Sequence, residues 1–210
     1  KKYNRTNVHL IYNGVTRPPR TDSTDQICAW GLTPKRYILA VGRFVEEKNF
    51  DKLVSAFSQA HLPADYRLVI AGDADHESPY SKSLKAAAKA HGVVLTGMIK
   101  GSPLQELYAH AGLFVLPSSH EGLPITLLEA MSHQIPVLVS DIPANNAVGL
   151  PADCYFHYDE AHSIEELTKA IEEKVHHGVA HTYDLRRYDW DPIAQQTYAV
   201  YLQTVQRKKG

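Results

Sequence analysis

The stretch YILAVGRFVEEKNFDKLVSAF, residues 37–57, decides the fold. It opens with a continuous apolar run, YILAVG, that ends in Gly42. Such a run suits a parallel strand covered on both faces. Phe50, Leu53, Val54 and Phe57 then fall at helical spacing, with Asn49 placed as N-cap. The unit recurs. RLVIAG (67–72) reads as a second buried strand, and SKSLKAAAKAHG (81–92) as a helix stopped by Gly92, where left-handed backbone is wanted. VVLTG (93–97), GLFVLP (112–117) and IPVLVS (135–140) supply three more strands, and a weaker one is expected over 154–157. Ser102-Pro103-Leu104-Gln105 reads as a capping box opening a helix with Leu104, Leu107, Tyr108 and Ala111 on one face. Ser163 to Glu166 reads as another, ahead of Ile164, Leu167, Ile171 and Val175. Upstream, Val8 to Ile11 reads as a short strand closed by Asn13-Gly14 and followed by a Pro- and Thr-rich loop. Asp191-Pro192 starts a last helix to about Gln206. Its Ile193, Tyr198, Tyr201, Leu202 and Val205 do not fit one stripe, and a helix apolar on two sides is buried on two sides.

Alternating strands and helices predict a Rossmann-like α/β fold, a parallel sheet with helices on both faces. The chain divides into 1–36, an opening strand and loop; 37–190, the Rossmann-like domain; and 191–210, the C-terminal helix. Ligands of such sheets bind outside the carboxyl ends of the strands. That rule selects the segments after Gly42, Gly72, Gly97 and Pro117, and EGLPITLLEA (121–130) lies among them.

At 210 residues, 44% hydrophobic and 21% charged, the chain is sized for one large domain or two small ones. A formal net charge of −1 gives no electrostatic footprint for nucleic acid or an anionic membrane. Cys28 and Cys154 stand far apart and outside any CxxC, so a reducing, cytoplasmic compartment is expected, without disulfides or a zinc site. No apolar run approaches the ~20 residues of a membrane helix. The sequence begins with Lys and is read as a piece of a longer protein. His176, His177 and His181 cluster, but His-Gly-Val-Ala-His (177–181) reads as lying past a helix end and ligand spacing on one helical face is absent, so they read as exposed and no metal is expected.

Within EGLPITLLEA a helix is expected to begin near Pro124. Its first amides lack intrahelical partners, and its dipole makes that end positive. Gly122 lets backbone approach a ligand closely. Gly122, Leu123, Pro124 and Ile125 thus read as an anion site of the kind a diphosphate fills. Glu121 precedes the helix, and Glu129 lies eight positions on. Carboxylates repel phosphate but accept from hydroxyls, so this pair suits a ribose on one side of a diphosphate and a sugar on the other. GRFVEEK (42–48) supplies cations: Arg43 as a planar fork, Lys48 as a point charge. Two cations plus helix amides neutralise a departing nucleoside diphosphate without a metal. Each residue alone has a plainer reading. Glu129 is a solvated helix glutamate, and Glu121 a charge favoured by the dipole. Arg43 and Lys48 pair with Glu46, Glu47 or Asp51, Asp73 forms a turn, and His120 is packed or solvated.

GRFVEEK, LVIAGD, VVLTGMI, LYAHAGLFVLPSSHEGLPITLLEAM and IPVLVSDIP, in this order and spacing, resemble the C-terminal, donor-binding domain of the group 1 retaining glycosyltransferases of the GT-B fold. The resemblance runs from about Val8 to the last helix, and its most specific part is Pro117 to Glu129. It implies that Glu121 contacts donor-sugar hydroxyls and Glu129 holds the ribose. Gly122 to Ile125 would meet the diphosphate, Arg43 and Lys48 beside Gly42 the phosphates, and Gly97, Met98 and Ile99 the base. It further implies a UDP- or GDP-hexose donor and transfer to an acceptor hydroxyl with retention. No metal cofactor is implied, and an N-terminal acceptor domain would lie outside this chain, against the last helix. Alone, the chain is expected to bind a nucleotide sugar weakly and not to turn over. It departs from the family after strand five, where members often carry an acidic residue and this chain reads DIPANNAV. The alternatives are a nucleotide-sugar epimerase or hydrolase of similar architecture, and a non-catalytic nucleotide-sugar-binding module.

Overall fold

A computed structural model describes residues 8–19 and 21–207, without the side chains of 206 and 207. In chain order the elements are α1 (Asp25–Ala29), β1 (Tyr37–Val41), α2 (Phe50–Gln59), β2 (Arg67–Ala71), α3 (Pro79–Ala90), β3 (Val94–Gly97) and α4 (Ser102–His110). There follow β4 (Leu113–Leu116), α5 (Ile125–Ser132), β5 (Val137–Ser140), α6 (Pro143–Asn146), β6 (Tyr155–Phe156), α7 (Ser163–His177) and α8 (Trp190–Arg207). The strands form one parallel sheet in the order β3-β2-β1-β4-β5-β6. The chain winds outward from β1 in one direction, then crosses back beside β1 and winds outward in the other. The carboxyl ends of β1 and β4 therefore flank the switch point, where such sheets leave a crevice.

Alternation along each strand builds two cores. Tyr37, Leu39 and Val41 of β1 pack with Ile27 of α1, Leu107 of α4 and Leu127 of α5. Ile38 and Ala40 point the other way, to Leu53 of α2, Leu84 of α3 and Ile171 of α7. Every residue of β1 is buried, which is why the run shows no polar alternation. A fully buried Leu or Phe contributes roughly 1.5–3 kcal/mol relative to exposure.

The strand expected over Val8 to Ile11 does not form, and Val8 and Leu10 are exposed. A strand needs a neighbour, and β1 is already paired on both sides by β2 and β4. The segment runs as irregular chain, and the Val15 amide donates to the Tyr188 carbonyl at 2.8 Å. Trp190 lies against Gly14 so closely that a Cβ there would sit 2.5 Å from the indole.

Two helix starts also differ from the sequence reading. Ser102 and Ser163 are the first residues of α4 and α7, behind Gly101 and His162, and neither helix has a side-chain cap. At α4 the turn is made by Gly101, whose φ of 65° only glycine adopts freely, so Ser102 is carried one position inside. A capping box does form at α3, where Ser78 and Ser81 each bond the other's amide, at 3.1 and 2.9 Å. Asn49 occupies the N-cap of α2 in a left-handed conformation (φ 50°, ψ 34°), so its side chain does not cap its own helix. It donates instead to the Pro117 carbonyl at 2.9 Å.

Helix α1 is held from a distance. Glu106 of α4, only 4% exposed, accepts from the Gln26 amide (2.7 Å), the Ile27 amide (3.0 Å) and the Ser23 hydroxyl (2.9 Å). It does for α1 what an N-cap side chain does locally. Burial pushes the Glu106 carboxyl up, but the bonds from Ile27, Ser23 and Gln26 outweigh it and hold the pKa below the usual value.

Within α8, Ile193 is buried, whereas Tyr198, Tyr201, Leu202 and Val205 are exposed. No helix among the described residues is long and apolar enough to cross a membrane. Cys28 and Cys154 are both free thiols.

Glu106→Ala leaves one buried and one part-buried amide without an acceptor and is expected to cost about 2 kcal/mol in urea unfolding. The deficit is largest above the unfolded glutamate pKa of ~4.3 and shrinks as pH falls through the lower folded value, because wild type then loses the same charge. A deficit that does not change with pH would contradict the capping role.

Candidate functional site

The site grows from the two loops that leave β1 and β4. Gly42 follows β1, and a Cβ there would lie 3.5 Å from Lys48 Cε and 3.3 Å from the Phe50 ring, so its bareness leaves room for the lysine stem. The tight turn Glu46–Lys48 then returns Lys48 over the sheet end. Its ammonium donates to Glu121 Oε1 at 2.6 Å, with only 17% and 9% of the two side chains exposed. The Ser118 hydroxyl donates to the same oxygen at 2.7 Å. Oε2 of Glu121 has no protein partner among the described residues. Taking two charges out of water gains little stability, so a desolvated pair at the switch point argues for chemistry more than for folding.

The loop carrying Glu121 is clamped from several directions. Ser140 of β5 donates to the Ser118 carbonyl at 2.6 Å, and Asn145 of α6 bonds the Ser140 carbonyl at 2.9 Å. From the opposite side, Asn49 holds the Pro117 carbonyl and the Ser119 amide bonds Glu47 at 2.9 Å. Ser118, Ser140 and Asn145 are fully buried.

Arg43 stands apart from this cluster. Its guanidinium is exposed and pairs with Asp75 at 3.1 Å. An exposed pair of this kind contributes about 0–1 kcal/mol, so it holds Arg43 only weakly. Asp73 accepts from the Ala74 amide and from Lys85, each at 2.8 Å, in keeping with its turn reading. Gly97 turns with φ 69°, Met98 is exposed, and Ile99 packs against the first core. The structure thus joins Lys48 to Glu121 and leaves Arg43, Met98 and Ile99 outside that contact.

Helix α5 starts behind Pro124 with no side-chain cap. The amides of Gly122 and Leu123 have no partner among the described residues. Glu129 faces a cavity of 320 Å³ lined by Gly101, Gln105, Ile125 and Trp190 and roofed by residues of the 14–19 segment. The Tyr108 hydroxyl donates to its Oε2 at 2.9 Å. Burial raises the Glu129 pKa, and the bond from Tyr108 opposes that rise. Gly122 and Leu123 line a separate hollow of 240 Å³ with Ile11, Tyr12 and Ala147. A larger cavity, 730 Å³, lies beyond the carboxyl end of α5 around Arg17, Gln134 and Tyr183. It touches neither glutamate.

Tyr108, Ser118 and Trp190 belong to the site and went unnoticed in the sequence. Tyr108 reads as one more apolar position on the face of α4, and only the adjacency of α4 and α5 brings its hydroxyl to Glu129. The DIPANNAV segment forms α6, and Asp141 turns its carboxylate to the Tyr158 amide (2.8 Å) and His157 (2.9 Å). His120 is exposed. His176 bonds the His61 carbonyl. Asp153, Cys154 and His181 bring candidate ligand atoms within 4.8 Å of one another. Lys174, however, already holds the Asp153 oxygen at 2.7 Å, and its bond draws that carboxyl down to about 2. An ammonium there opposes a second cation.

The family model described as "Glycosyl transferases group 1" matches residues 24–187. The uncharacterized glycosyltransferase MJ1607 of Methanocaldococcus jannaschii is 29% identical over 80% of this chain and 45% of its own length. The O-antigen chain mannosyltransferase RfbU of Salmonella typhimurium is 26% identical over 90% of this chain and 51% of its own. The chain therefore spans about half the length of these relatives. Among solved structures, Anabaena Alr3699/HepE in complex with UDP and glucose superposes with a TM-score of 0.75 at 21% identity, over 91% of this chain and 55% of that one, a likeness of fold. With the family model covering the sheet, both site loops and both glutamates, the chain belongs to the group 1 glycosyl transferases.

Proposed function

We propose that this chain is the donor-binding domain of a retaining hexosyltransferase that uses a nucleoside diphosphate sugar. One observation carries the reading. Glu121 and Glu129 each have one oxygen tied by protein hydroxyls or ammonium and the other without a protein partner among the described residues, and the Gly122 and Leu123 amides that follow Glu121 in the chain are unpartnered too. The diphosphate sits on the Gly122 and Leu123 amides at the positive end of α5, with Lys48 beside it and Arg43 released from Asp75. Glu129 accepts from the ribose and Glu121 from the hexose. The base lies toward Gly97, Met98 and Ile99. Lys48, Arg43 and the amides stabilise the charge left on the departing diphosphate, so no metal is required. Retention of anomeric configuration rests on the resemblance.

The exposed Tyr198, Tyr201, Leu202 and Val205 of α8 support an acceptor domain outside this chain, as does the extra length of the relatives. The acceptor hydroxyl comes from that side. Free thiols at Cys28 and Cys154 fit a cytoplasmic setting.

A thermal-shift screen of UDP- and GDP-hexoses tests the reading. A donor at a hundred times its Kd should stabilise the fold by about 2.7 kcal/mol. No shift with any nucleotide sugar would end it. Glu129→Ala should fold normally and lose about tenfold or more in nucleoside diphosphate affinity; unaltered affinity removes the ribose role. Glu129→Gln should melt higher than wild type at pH 7, because the raised pKa makes the buried charge costly, and the gap should close below the ordinary glutamate pKa. Lys48→Met strands a buried carboxylate and should cost about 3 kcal/mol. Adding Glu121→Gln should recover most of that stability without recovering donor binding. Failure of the second change to restore stability would show that the pair is not coupled.

A further inference from the structure

Tyr108 lies inside α4, only 2% exposed, with its ring held on both sides. It stacks on His133, with ring centroids 5.4 Å apart and planes 19° apart, and tilts against Phe114 at 5.9 Å. Packing of this kind leaves the hydroxyl little choice of direction. The hydroxyl points at Glu129 Oε2, 2.9 Å away, and lies 3.3 Å from the Thr126 carbonyl. Oε1 of Glu129 has no partner among the described residues, and the side chain faces the 320 Å³ cavity. We propose that Tyr108 is a positioning residue whose hydroxyl holds one oxygen of Glu129 and thereby presents the other to the cavity. The use made of that second oxygen rests on the ribose reading above.

The surroundings give the tether an electrostatic task as well. Burial raises the Glu129 pKa, and the Tyr108 bond favours the charged form. Few other groups can help. His133, which caps the carboxyl end of α5, is held uncharged by burial and by Lys35, with its pKa pushed down to about 4. Arg17 of the roofing segment lines the neighbouring cavities instead of this one. Without the hydroxyl, Glu129 keeps the cost of burial and loses its protein donor.

Tyr108→Phe removes one oxygen and keeps the ring. Two measurements on the purified chain separate the tether from the function assigned to it. Titration of the Glu129 side-chain carboxyl by carbon-13 NMR, without ligand, should show a higher midpoint in Tyr108→Phe than in wild type. Calorimetry with UDP should show an affinity about tenfold lower near pH 7, equivalent to about 1.4 kcal/mol. The acid limb of binding should move to higher pH in the variant, and Glu129→Gln should flatten it in both backgrounds. Equal midpoints in the two proteins overturn the proposal whether or not UDP binds. A UDP affinity lowered by the same factor at every pH overturns it too, since a packing defect does that. A midpoint shift without any UDP binding to wild type upholds the tether and overturns the ribose reading. If Tyr108→Phe does not fold, 3-fluorotyrosine at position 108 keeps the shape and strengthens the donor. It should lower the Glu129 midpoint, and an unmoved midpoint overturns the proposal.

Discussion

The reversal of strand order between β1 and β4 is the constraint from which the rest follows. Two crossovers leave the sheet there in opposite directions, so among the described residues the gap between their carboxyl ends is left to loops. Into that gap run a loop with a lysine and a loop with a glutamate. The meeting of Lys48 and Glu121 is thus a consequence of winding direction, and the buried serines and asparagines behind them hold the backbone that topology brings together. Polar side chains this deep are tolerable only when each finds partners. Here most do, through carbonyls that the loop cannot satisfy by itself.

Much of this architecture is legible in the sequence. Five apolar runs ending in or near glycine or proline gave the parallel sheet, because strands covered on both faces have no polar side to show. The glutamate pair and its helix start were also visible, since both sit in one continuous segment. What escaped is whatever depends on contacts between distant parts of the chain. The N-terminal amides of α1 are served by Glu106, some eighty residues away, so no local motif announces that helix. Ser102 and Ser163 satisfy a capping pattern and still cap nothing, because the preceding backbone turn decides the register. Val8 to Ile11 has a strand's composition but finds no free strand edge beside β1. Arg43 has a chemistry suited to phosphate, but its guanidinium is paired with Asp75, a partner that the spacing around Arg43 does not announce.

The two glutamates also show how a site can sit uneasily in a stable fold. Glu129 is partly withdrawn from water with a hydroxyl as its protein donor, and Glu121 is almost enclosed against Lys48. Both arrangements cost solvation that apolar residues of similar size would not. The surrounding core, with β1 buried along its whole length, absorbs that cost.

The seating of Trp190 on Gly14 has a mechanical consequence. The incoming and outgoing segments are fastened to each other at several points, by the indole, by the Val15–Tyr188 backbone bond, and by Tyr12, whose ring meets Tyr188 edge-on and lies under the Arg187 guanidinium. Any body carried by either segment would be braced by this joint anchorage, with the cavity that Glu129 faces directly beside it. Strain on either segment would thus be passed to the cavity's roof before it reached the sheet.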